Sequence, residues 1–160
     1  MHHNQITTLF DYHWSTTERL LESAAQLPEE HYHAAHKFGH RSIHRLFFHI
    51  LAADQGWRIG LETGKQQRGL DPVGYPDIAA IENLLREERE AWHVYLSRLD
   101  DPMVDEITLI TLRKRTYKIS LWRILIHLIL HGMQHHSELS QALSNHNQSP
   151  GNIDFILYQV

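Results

Sequence analysis

Apolar residues recur at helical spacing in four long stretches. In the first, Leu9, Phe10, Trp14, Leu20, Leu21 and Ala24 predict a helix from about Ile6 to Gln26, closed by Pro28 in "LPEE". A second helix is expected from near Ser42 to Thr63, ending at Gly64. The third opens in "YPDIAAIENLL" with Asp77 as its N-cap and fades at "LDDP" near Pro102. The fourth follows Ser120 and continues to about Ser144. Between the third and fourth, the β-branched residues of "DEITLITLRKRTYKIS" predict a short irregular hairpin or an extended crossing. "GKQQRGLDPVGYP" reads as loop. The pattern predicts an all-α protein, one four-helix bundle over residues 1–160, with a connection between its last two helices too long for a tight turn.

Composition changes this picture little, apart from histidine. A hydrophobic fraction of 42% with 21% charged residues describes an ordinary globular chain, and a net charge of −4 recruits neither nucleic acid nor an anionic membrane. There is no cysteine. Disulfides, thiolate ligands and a cysteine nucleophile are excluded, which fits a cytoplasmic location. No signal peptide is expected from "MHHNQITTLF", and no apolar run approaches the roughly 18 residues of a membrane span. The 15 histidines are the unusual feature.

Several of them sit in "HLILHGMQHH", residues 127–136, inside an apolar run. Around the fourth helix, with Leu128 at zero, Leu121, Ile124, Leu139 and Ala142 lie within about 40° and define the inward stripe. His135 falls at about −20°, His131 at about −60°, His127 at about −100° and His136 at about +80°. On the second helix, with Leu46 at zero, Ile50 and Trp57 point inward, and His49 lies beside them at about −60°. His44, at about +160°, is expected at the surface. One inward histidine facing an inward pair would supply three nitrogen ligands and leave positions open, the pattern of a catalytic metal site. An acid–base site, or core imidazoles bonded to protein oxygens, would satisfy the same spacing.

The stretches "SIHRLFFHILAADQGW", "HLILHGMQHHSEL" and "IDFILY", with the early "LFDYHW", together resemble the DinB-like family of four-helix bundle proteins over nearly the whole chain. The resemblance implies an up-down-down-up bundle, frequent homodimers and a divalent ion held by His49, His131 and His135. The family commonly continues with Arg-Gly-Gln after its last motif histidine, where this chain has His136, Ser137 and Glu138. Glu138, one turn beyond His135, is positioned to orient that imidazole, act as a base or ligate, unless it is simply a solvated edge residue. His127 is a candidate to hold water beside the ion, or to make a core hydrogen bond.

Zinc, nickel, iron and manganese all suit three imidazoles. Without cysteine, a nucleophile activated there has to be water or an external low-molecular-weight thiol. Family members include enzymes that transfer such thiols to small electrophiles, and others known only as stress- or damage-associated proteins. The expectation is therefore a metal-dependent thiol S-transferase or hydrolase acting on a small molecule. Its main rival is a non-catalytic dimeric binding protein, because Ile126, Leu130 and Met133 form an apolar stripe opposite the inferred core. A di-iron carboxylate bundle is disfavoured: "EAWH" (Glu90 to His93) lies on the third helix, "EHYH" (Glu30 to His33) in an expected loop, and no such motif on the fourth. The basic "RKRTYK" (Arg113 to Lys118) supports at most weak, salt-sensitive nucleic-acid contact.

Overall fold

The computed structural model describes residues 2–35, 42–65, 69–112 and 115–159. Its helices are α1 (His3–Ala24), α2 (Glu29–His33), α3 (Ile43–Thr63), α4 (Ile78–Leu96), α5 (Asp101–Asp105) and α6 (Leu121–Ser144), with an antiparallel hairpin of β1 (Ile107–Leu112) and β2 (Arg115–Ser120) before α6. The long helices begin and end where local chemistry dictates. Ser42 Oγ accepts from the Arg45 N–H and Asp77 Oδ1 from the Ala80 N–H, each satisfying one orphan donor of a first turn. Gly64 closes α3 in the left-handed region at φ 66°, which costs a residue without a side chain little.

Pairings between helices give the topology. α1 and α6 run parallel, with His13 against Gly132 and Thr17 against His136. α1 and α4 run antiparallel, with His3 bonded to the Leu96 carbonyl and Glu18 paired with Arg89. α3 and α6 are antiparallel too, since His49 meets His131 and His135 while Trp57 meets His127. α3 and α4 are parallel, with His44 at Tyr75 and Arg58 at Glu88. The order is up-down-down-up, and α1 and α3 face each other across the bundle, each between α4 and α6. Phe10, Trp14, Phe47, Ile50, Trp92 and Leu128 fill the centre, with the Phe10 and Trp92 rings 4.8 Å apart.

Three local expectations are revised. "EHYH" forms the short helix α2, opened by Pro28 and held by the buried Tyr32. The connection before α6 is a regular hairpin, paired from Ile107 with Ser120 to Leu112 with Arg115; Arg113 and Lys114 of its basic tip lie outside the described residues. His44 is buried rather than at the surface. Its Nε2 lies 2.6 Å from the Tyr75 carbonyl, and Tyr32 and His33 pack against its ring. Helical periodicity reports only the face toward the other long helices, and α2 with Tyr75 covers the outer one.

Glu88 is 3% exposed on α4. The Arg58 guanidinium grips both of its oxygens, Nε and Nη2 each at 2.9 Å, and Gln55 adds a bond at 2.7 Å. Removing one member of such a pair strands the other, whereas an apolar replacement of both does not. Glu88→Ala should therefore cost about 3 kcal/mol in urea unfolding, and Arg58→Met with Glu88→Leu should stay within about 1 kcal/mol of wild type. Equal losses from the single and paired changes would contradict this.

Candidate metal centre

His49 comes from α3, and His131 and His135 come from successive turns of α6. The antiparallel packing of these helices points all three rings into one space, where one ligand-type nitrogen from each lies within 4.8 Å of the others. His49 Nε2 and His131 Nε2 are 3.1 Å apart. Two nitrogens on one ion at about 2.05 Å and the tetrahedral angle stand about 3.3 Å apart, so this spacing fits a shared ion after small adjustment. The ring centroids of His135 lie 4.8 Å from His49 and 4.7 Å from His131. His135 is buried and the other two are half-buried, so the cluster sits at the margin of the core.

Electrostatics suit a ligand set as well. Burial, reinforced by the imidazoles of His135 and His127, holds His131 below its ordinary pKa, keeping it in the neutral form that ligation needs. His135 Nδ1 lies 3.1 Å from Glu138 Oε2. A proton on Nδ1 donating to that carboxylate leaves the Nε2 lone pair to face the cluster. Glu138 is half-exposed on the rim, so its carboxylate reaches both the imidazole and solvent. His127 is placed beside the trio, not in it: it is exposed, its centroid is 6.1 Å from His131, and Trp57 packs edge-on at 5.8 Å. The C-terminal "IDFILY" lies elsewhere, against α1, with the Phe155 ring 5.0 Å from Tyr12 and the Tyr12 hydroxyl donating to the Ile153 carbonyl.

Behind the cluster is a second group of polar side chains that helical periodicity does not reveal. His13 Nε2 bonds Asp54 Oδ2 at 2.9 Å across the bundle from α1 to α3, both side chains 1% exposed. The His13 ring stacks on His136, centroids 5.0 Å apart. Thr17 Oγ1 donates to the His13 carbonyl, so it must accept from the His136 Nε2–H at 2.8 Å. His136 therefore carries a proton on Nε2, and burial first, then His13 and His135, hold its pKa well below the ordinary value, which favours the neutral ring. The available signals were Asp54 interrupting the apolar "HILAADQGW" and the four-residue spacing of His13 and Thr17.

An up-down-down-up bundle with three imidazoles gathered from two of its helices defines a class of helical protein compatible with binding a divalent ion. Residues 9–139 match the family model of the DinB superfamily, and the chain belongs to that superfamily. No curated protein matches it. Among the described residues, no helix is long and apolar enough to cross a membrane.

His44 and His136 are both held below their usual pKa, mainly by burial. Their unfolded-state value is about 6.5. Above that pH both states carry neutral rings and the full stability is present. Below it the unfolded chain binds protons that the folded chain refuses, and stability falls by up to about 1.4 kcal/mol per pH unit for each ring. Urea unfolding of chelator-treated protein should show a clear loss between pH 7.5 and 5.5; a flat profile would contradict the neutral burial of these histidines.

Proposed function

We propose that the chain is a divalent-metal-dependent enzyme acting on a small molecule, either transferring an external low-molecular-weight thiol to an electrophile or hydrolysing its substrate. The observation that carries this reading is the half-buried convergence of His49, His131 and His135, all neutral-type ligands on two rigid helices. Zinc, nickel, iron or manganese suits such a set. A bound ion would supply a Lewis acid, lowering the pKa of a coordinated water or thiol and polarising a substrate carbonyl. His49, His131 and His135 are the proposed ligands. Glu138 orients His135 and, from the rim, is the proposed acceptor for the proton a nucleophile gives up. His127 and Trp57 are proposed to bound the approach from the surface. The absence of cysteine supports an external nucleophile and accords with a cytoplasmic setting.

Leu130, 64% exposed on α6, favours a second reading, a dimeric binding protein in which the ion has no catalytic part. Ile126 and Met133, partly buried on the same face, would extend the interface. Sedimentation at micromolar concentration should give a dimer that Leu130→Glu weakens; a wild-type monomer would remove this interface from either reading.

Metal content by mass spectrometry, on untagged wild type beside His49→Ala and His131→Ala, tests the site. About one ion per chain in wild type is expected, lost from both variants while their helical circular dichroism persists. Retention of the ion by His131→Ala would contradict the ligand set. Failure of wild type to load after zinc, nickel and manganese reconstitution would leave the histidines as core residues.

A further inference from the structure

Gly132 follows His131 directly and stands three residues before His135. A Cβ at this position would lie 2.2 Å from His13 Cε1 and 2.4 Å from His13 Nδ1. Favourable carbon contacts begin near about 3.5 Å, so only glycine admits the ring here. Nor is the ring a loose end that swings aside. Its Nε2 is tied to Asp54 at 2.9 Å, its face lies on His136, and it is 1% exposed. Asp54 sits on α3 five residues after His49, and Gly132 on α6 between the other two gathered histidines. His13 thus spans from the helix carrying one of the three to the helix carrying two, although α1 contributes none.

We propose that His13, seated in the notch at Gly132 and tied to Asp54, is a positioning residue that sets the α3–α6 separation and so the fit of the three-imidazole cluster to its ion. The inference rests on the metal reading above and assigns a role to three residues outside the ligand set. A pair that merely filled the core would alter stability and leave the affinity of the folded protein unchanged. A spacer alters affinity and the geometry around the ion.

The test uses chelator-stripped wild type, Gly132→Ala, His13→Ala and the double variant, each checked for folding by circular dichroism. Cobalt(II) is titrated and followed by visible absorption, and zinc affinity is measured against a chromophoric chelator. Gly132→Ala and His13→Ala should each weaken zinc at least about tenfold and change the cobalt spectrum. In the double variant the added methyl no longer meets a ring, so its affinity should match His13→Ala within about twofold. Unchanged affinity and spectrum in folded His13→Ala would overturn the proposal, as would full additivity of the two changes. If Gly132→Ala does not fold, His13→Ala alone decides. A wild type that takes neither cobalt nor zinc would instead remove the metal reading, so the two failures are distinct.

Discussion

Five imidazoles, those of His13, His49, His131, His135 and His136, run from the core of this bundle to its margin, and burial obliges each ring to find a partner for at least one nitrogen, although Nδ1 of His13 and of His136 is left without one. That requirement organises the rest of the structure. His13 finds Asp54, His136 finds Thr17, and His135 finds Glu138, each through one nitrogen. His49 and His131 turn Nε2 toward each other and toward the space His135 also faces. Protein oxygens thus occupy one nitrogen apiece on those three rings, and one ligand-type nitrogen from each of His49, His131 and His135 lies within 4.8 Å of the others. An ion of two positive charges suits the space between them because neutral imidazoles donate to it without mutual repulsion.

The topology makes the convergence possible. Parallel α3 and α4 put the ends of the bundle out of step with a simple up-and-down arrangement, and α6 lies antiparallel to α3 along its length. Residues one turn apart on α6 therefore face a single residue of α3. The Asp54 link ties α1 to α3 across a diagonal of the bundle, so the helix that carries His49 is braced from behind. The Arg58–Glu88 pair does comparable work between α3 and α4, away from the cluster.

Much of this was legible in the residues, for stated reasons. A straight helix keeps 100° per residue over several turns, so the inward placement of His49, His131 and His135 follows from spacing alone. Glu138 reaches His135 because residues three apart on a helix are neighbours. The same arithmetic failed for His44, because α2 is too short to show a period and Tyr75 arrives from a loop. His13 and Asp54 lie 41 residues apart, and no local pattern announces a bond across the diagonal. The Gly132 notch was invisible for a related reason: a glycine inside a helix explains itself only when the neighbouring ring is in place.

X-ray absorption at the zinc edge of loaded wild-type protein addresses the central claim most directly, since it reads the donor atoms themselves. Three imidazole nitrogens at about 2.0–2.1 Å, with the remaining coordination completed by light atoms, is the result this structure calls for. A shell dominated by oxygen, or one containing fewer than two imidazoles, would show that the ion binds elsewhere and that His49, His131 and His135 are gathered for another reason.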